Sequence, residues 1–259
     1  MELGLKGRVA IVTGASKGIG RAVAMELAGE GCDLAISARG LDELNKVREQ
    51  VLARGVRCIV RHVDITKPAD IETLVSGVRT EFGRLDILVN NAGGARPGTF
   101  ATLTDDDFHS DYDLKVLGQI RCTRSALPLL ERSPAPRVIN INAIVGRVVS
   151  PGLFATATHR AACYAINKSL AQELGPKGIL VNCVNIGYVL TPQWENIRNR
   201  LASGKSMDDF TAERAKGVPL GRFGTPEEVS GLVAFLASDR ASYISGASID
   251  VGGGSGAHV

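Results

Sequence analysis

The chain has 259 residues, 44% of them hydrophobic, enough to bury a full core as one large α/β domain or two smaller ones. A net charge of +3, without a Lys/Arg block or a basic–aromatic stripe, argues against nucleic acid as a partner. Cys32, Cys58, Cys122, Cys163 and Cys183 stand singly with no CxxC pair, residues 1–6 lack a signal-type apolar segment, and no apolar run reaches the roughly 20 residues that span a bilayer. Disulfides, metal and membrane are therefore not expected, and a cytoplasmic protein is.

The first apolar run, 9–12, leads into Thr13-Gly14-Ala15-Ser16-Lys17-Gly18-Ile19-Gly20 and then an amphipathic pattern with Ile19, Val23 and Leu27 on one face. This order predicts a strand, a glycine turn and a helix start. Such a turn lets the backbone approach a pyrophosphate while unpaired N–H groups and the positive end of the helix dipole face the anion. Gly14, Ser16, Lys17, Gly18, Ile19 and Gly20 are thus candidate dinucleotide-binding residues. Further strand-length runs follow at 34–37, 58–63, 85–90, 138–141, 180–184 and 248–251. Between them Leu41, Leu44, Val47 and Val51 share a helix face, as do Ile71, Leu74, Val75, Val78 and Phe82. Strands alternating with helices predict a mostly parallel, doubly wound α/β sheet with helices on both faces and right-handed crossovers. No linker, repeat or low-complexity block precedes the glycine-rich tail at 252–256, which favours a single domain over 1–259.

Tyr164 and Lys168 lie four residues apart, on one face of a predicted helix. A neighbouring ammonium favours a phenolate and lowers the tyrosine pKa towards the working range of a proton donor. The segment 187–224 departs from the strand–helix alternation and carries Trp194 among mixed charges. After the carboxyl end of a strand it is placed to act as a substrate lid, although a pair of solvated surface helices fits its composition equally.

Taken together, the chain resembles the short-chain dehydrogenase/reductase family over nearly its whole length. The motifs are the loop 13–20, Asp64 closing the third strand, Asn90-Asn91-Ala92-Gly93 closing the fourth, Tyr164 and Lys168, the stretch 221–229, and Ile249-Asp250-Val251-Gly252-Gly253-Gly254. The resemblance implies a Rossmann-type fold with a seven-stranded parallel sheet, a nicotinamide cofactor, redox chemistry at a carbonyl/alcohol carbon and a homotetramer. The nearest flavour is that of 3-oxoacyl-thioester reductases and related secondary-alcohol dehydrogenases. It casts Tyr164 as general acid/base and Lys168 as the group that holds the nicotinamide ribose and tunes the tyrosine. Asp64 would lie near the adenine, and Asn90, Asn91, Ala92 and Gly93 beside the ribose and sheet. Gly187 and Thr191 would lie near the nicotinamide. Asn90 capping a strand end and Thr191 capping a helix near Pro192 are the structural alternatives. The second strand is followed by Ala38 and Arg39 with no acid, and Lys17 offers a second cation. Arginine matches a 2′-phosphate that a carboxylate would repel, so NADP is the expected cofactor.

The pattern breaks at four places. Ala143 stands where the family has its active-site serine, Lys115 where it has a helix asparagine, and Ile186 where a proline precedes Gly187. The serine-to-tyrosine separation, about a dozen residues in the family, is 21 from Ala143 to Tyr164. Losing such a hydroxyl donor costs about 10²–10³ in rate. Either the site is crippled, or another group among Asn142, Thr156, Thr158 and His159 takes over, or the chain binds dinucleotide as an impaired or sensor protein. Lys115 either adds positive charge near the reacting oxygen or points outwards. The leading expectation is an NADP(H)-dependent oxidoreductase moving hydride between nicotinamide and a small-molecule carbonyl or secondary alcohol.

Overall fold

A computed structural model describes residues 2–256. The amino-terminal half alternates strictly: β1 (Val9–Thr13), α1 (Gly18–Gly29), β2 (Asp33–Ala38), α2 (Leu41–Leu52), β3 (Cys58–His62), α3 (Pro68–Phe82) and β4 (Ile87–Asn90). Then come α4 (Asp105–Tyr112), a π-helical turn at Asp113–Leu117, α5 (Gly118–Leu130), β5 (Arg137–Ala143), α6 (Phe154–Leu174) and β6 (Leu180–Ile186). The chain closes with α7 (Gln193–Leu201), α8 (Met207–Ala215), α9 (Pro226–Ala237) and β7 (Ser248–Val251).

All seven strands join one parallel sheet in the order β3-β2-β1-β4-β5-β6-β7. Each expected strand is present, as an all-parallel sheet requires of apolar runs joined by helical crossovers. β1 pairs with β2 on one side and β4 on the other. The strand order reverses there, and in open α/β sheets ligands bind outside the carboxyl ends of the strands at that point.

The helix faces read from periodicity bury as two layers. Val23, Leu27, Leu44, Val47 and Val51 pack with Val229 and Val233 of α9 on one side of the sheet. Ile71, Leu74, Val75 and Val78 pack with Cys122, Ala126 and Leu174 on the other. Leu41, at the start of α2, stays exposed. The carboxyl-terminal helix α9 is fixed at its start by a capping box, in which Thr225 Oγ1 accepts from Glu228 N and the Glu228 carboxylate accepts from Thr225 N. The segment 187–224 folds as α7 and α8, closed by an aromatic group in which Tyr188 stacks on Phe223 and Trp194 packs edgewise on both. Among the described residues, no helix is long and apolar enough to cross a membrane.

Candidate active site

The glycine turn is shaped by steric necessity. Gly14 has φ +68°, and a Cβ there would lie 2.9 Å from Ala92 Cα. At Gly20 it would stand 2.3 Å from Gly14 O, so α1 starts this close to the loop only because no side chain intervenes. Asn91 braces the same turn, its Nδ2 donating to Thr13 O at 2.8 Å and Gly14 O at 3.1 Å. Thr13 Oγ1 in turn accepts from the N–H groups of Asn91 and Ala92, each at 3.0 Å. The carboxyl ends of β1 and β4 are thereby locked together. Lys17 caps α1 without a side-chain hydrogen bond, leaving the first-turn N–H groups to an anion. Ser16 is half-buried and Lys17 exposed at this mouth, whereas Ile19 turns its side chain into the core and offers only backbone. Thr191 joins the loop, because a Cβ at Gly18 would meet its Cγ2 at 3.2 Å.

Arg39 is exposed just past β2, and its charge acts on Asp64. Burial resists ionisation of Asp64. Two bonds from Thr66, with the charges of Arg39 and Lys67, outweigh that and hold its pKa below the usual carboxylate range. Asn90 is buried, donating to Thr123 Oγ1 at 3.1 Å and Asn140 Oδ1 at 2.9 Å, so it ties β4 to α5 and β5. Gly187 ties the end of β6 to β7 by donating to Val251 O at 2.9 Å.

The reaction end differs from the sequence reading. Tyr164 is half-buried and its hydroxyl donates to Ala143 O at 3.1 Å. Lys168 is not its partner. Lys168 Nζ lies against Gly246, whose N–H bonds Val181 near the amino-terminal start of β6, away from the strand ends that frame the crevice. The expectation that Lys168 holds the ribose and lowers the Tyr164 pKa is therefore corrected. Burial pushes the phenol up, and the cations that oppose this are Arg147, 4.3 Å over the ring, and more weakly Arg160.

The reason is the direction of α6, which begins at the carboxyl edge of the sheet and runs back along it. Each four residues retreat about 6 Å. Its first turns, not its middle, face the crevice. Thirteen positions after Ala143 stands Thr156, and four further on Arg160, the same spacing as Tyr164 and Lys168 two turns earlier. Arg160 Nη1 donates to Ile141 O at 2.9 Å, and its Nη2 is 3.2 Å from where a Cβ on Gly93 would be. Thr156 Oγ1 accepts from Arg96 N at 2.9 Å. Of the other candidate substitutes for the serine, Thr158 donates back to Phe154 O on the exposed side, and Asn142 Nδ2 donates to Arg160 O.

Lys115 points inwards. Its side chain is fully buried, ion-paired with Asp111 and 3.5 Å from Thr156 Oγ1. It shares a small cavity with Thr13, Asn90, Ala92, Ile141 and Arg160. Burial, then Arg160, lower its pKa to about 8, with Asp111 pulling the other way. Of the residues gathered here, Thr156 and His159 stand among the candidate substitutes for the serine, whereas Asp111 and Arg160 carry no motif signal, although counting a dozen residues on from Ala143 reaches Thr156 and, one turn later, Arg160.

A nucleotide cradle at the switch point of a parallel sheet, with polar side chains gathered beside it from β5 and α6, defines a dinucleotide-dependent enzyme. A family model described as enoyl-(acyl carrier protein) reductase matches residues 14–256. Oxidoreductase UcpA of Escherichia coli strain K12 is 36% identical over 255 residues, covering 97% of this chain and 95% of the relative. The 3-oxoacyl-[acyl-carrier-protein] reductase FabG of Staphylococcus aureus strain N315 is 33% identical over 246 residues, covering 95% and 96%. The solved L-sorbose reductase of Gluconobacter frateurii, complexed with NADPH and L-sorbose, superposes with TM-score 0.96 at 31% identity, covering 100% of both chains. The chain belongs to the short-chain dehydrogenase/reductase family and is an oxidoreductase of that family.

Proposed function

We propose that the protein is an NADP(H)-dependent oxidoreductase that moves hydride between nicotinamide and a small-molecule carbonyl or secondary alcohol. The carrying observation is the cradle. Gly14 and Gly20 leave room for a pyrophosphate against an uncapped helix start, while Arg39 and Lys17 stand exposed at its rim with no acid at the end of β2. Gly14, Ser16, Lys17, Gly18, Ile19 and Gly20 would hold the pyrophosphate, and Arg39 with Lys17 the 2′-phosphate. Asp64 would border the adenine, Asn91, Ala92 and Gly93 the ribose, and Gly187 and Thr191 the nicotinamide. When bound, the nicotinamide supplies or accepts the hydride. The likeness to a reductase solved with NADPH supports this reading, and relatives named as oxidoreductase and reductase favour it over an impaired sensor.

The resemblance casts Tyr164 as the proton donor, whereas in the fold its hydroxyl donates to Ala143 O and burial holds the proton on the phenol. Tyr164→Phe tests it, with NADPH binding measured alongside to separate chemistry from cofactor loss. The segment 187–224 serves as the substrate lid: it follows β6, and its α7–α8 pair is joined to the rim by the Tyr188–Trp194–Phe223 group. Assembly is as a homotetramer through α6 and the 221–254 segment, where Tyr243 is wholly exposed. The cytoplasm is the working compartment, in keeping with five buried free thiols.

Calorimetry with NADPH and NADH tests the function, together with NADPH consumption over a panel of ketones and oxoacyl thioesters. NADPH should bind at least about tenfold more tightly, since bonds to a charged group contribute roughly 1.5–3 kcal/mol. Equal or tighter NADH binding would remove the cofactor assignment.

A further inference from the structure

Beside the strand ends that carry the nucleotide cradle lies a buried charged cluster built on Lys115, which stands where the family has a helix asparagine. α4 runs into α5 through the π-helical turn at Asp113–Leu117, and that wider turn sets Lys115 facing the interior. One oxygen of Asp111 pairs with the Lys115 ammonium, and the other accepts from His159 Nδ1 at 2.8 Å. The His159 ring is held by Phe108 at 4.3 Å and Tyr112 at 5.5 Å, between centroids. Lys115 Nζ then donates to Thr156 Oγ1 at 3.5 Å, at the first turn of α6, and that hydroxyl's own proton rests on Arg96 O at a long 3.4 Å. The charged and titratable groups acting on Lys115 are Asp111 from α4 and Arg160 and Cys163 from α6, with His159 joined to it through Asp111. The cavity beside Lys115 opens on Thr13, Asn90 and Ala92, the strand ends that carry the nucleotide cradle.

We propose, resting on the oxidoreductase reading above, that Thr156 is the catalytic residue that hands the proton to the reacting oxygen and that Lys115, held by Asp111 and His159, resupplies it. In reduction, the carbonyl carbon gains a C–H bond and two electrons as hydride from a reduced nicotinamide, the named reductant. The C=O π pair moves onto oxygen and takes the Thr156 hydroxyl proton. A Lys115 N–H bond breaks to restore that hydroxyl, leaving a neutral amine that regains its proton from solvent. Oxidation of an alcohol runs the same transfers in reverse, with oxidised nicotinamide taking the hydride. A buried ammonium beside Arg160 suits this task because the two positive charges and the lack of water both favour release of a proton. Asp111 and His159 are positioning residues: they fix the ammonium on the Thr156 side of its cavity.

The test uses the full chain and five variants. Thr156→Val should lower kcat by about 100-fold or more with the NADPH dissociation constant within about twofold, and Thr156→Ser should restore most of it. Lys115→Arg keeps the charge but cannot release a proton at these pH values, and should show the same loss. Wild-type reduction should fall as pH rises through about 8, where burial and Arg160 bring Lys115 to lose its proton. Asp111→Asn, which removes the charge that holds the proton on, should move that break lower. Independently of activity, the Lys115 ¹⁵Nζ resonance, assigned by its absence in Lys115→Arg, should titrate near the same pH. A wild-type Lys115 that stays protonated above pH 10 overturns the proposal even if the variants fail to fold. So does Tyr164→Phe abolishing turnover while Thr156→Val and Lys115→Arg keep activity within threefold, an outcome that leaves the oxidoreductase reading standing. Wild type that binds NADPH but reduces nothing across the panel removes that reading, and this inference with it.

Discussion

The two sides of the crevice are built by different physics. At the β1–β4 side, a few glycines and main-chain bonds fix a loop whose shape allows little else: a Cβ at Gly20 would stand 2.3 Å from a carbonyl oxygen. At the β5–α6 side, the shape is held by side chains from helices far apart in sequence, with Asp111 and Lys115 from one helical run meeting Thr156 and His159 from another. Backbone necessity tolerates little substitution. A packed polar cluster can exchange its members provided its charges stay paired and bonded. The protein keeps the glycine cradle while carrying Ala143, Lys115, Thr156 and Arg160 at the other side.

The sharpest way to break this contrast is Gly20→Val. Driving Cβ into Gly14 O and Asn91 Nδ2 should abolish NADPH binding, read by calorimetry, and lower Tm by several degrees or prevent folding. Binding within tenfold of wild type would show that the cradle is softer than its geometry implies.

Next in size is the pH dependence of stability. Lys115 ionises near pH 8 in the fold against 10.5 as a free side chain, so between those values the unfolded chain binds more protons. Its contribution to stability is therefore least favourable below pH 8 and improves as pH rises to 10.5. The stability of wild type relative to Lys115→Met, from urea unfolding, should rise by on the order of 3 kcal/mol across that window. A flat difference would mean that the ammonium is not strained by burial.

Arg39→Ala should weaken NADPH by about tenfold or more and leave NADH within about twofold, because only the 2′-phosphate loses its partner. The smallest effect is expected away from both sides. Thr225→Ala removes the α9 cap and should cost about 1 kcal/mol, seen as a fall of a few degrees in Tm with kcat unchanged.

The same division decides what the sequence discloses. The strands at 9–12, 34–37 and 138–141 are legible because parallel strands buried on both faces must be apolar runs, and the cradle because its glycines sit at fixed offsets between a strand and a helix. Tyr164 and Lys168 mislead for the opposite reason. An i, i+4 pair recurs on any helix, and only the direction of α6 along the sheet says which turn faces the crevice. The separation of 21 from Ala143 was the available sign that the pair sits two turns too far along. That Lys115 points inwards is invisible in sequence, since it depends on a single wide turn between α4 and α5. The pairing of Asp111 with His159 bridges 48 positions and needs the folded packing of α4 on α6.

Isotope transfer reports directly on whether this chain moves hydride between NADP(H) and a carbonyl carbon. The protein would be incubated with NADPH deuterated at both C4 positions and with the carbonyl panel, and the products analysed by mass spectrometry. Hydride transfer should yield an alcohol carrying one deuterium on the former carbonyl carbon, formed in step with NADPH consumption and absent in Thr156→Val. Unlabelled alcohol, or NADPH consumed without any alcohol formed, would contradict it.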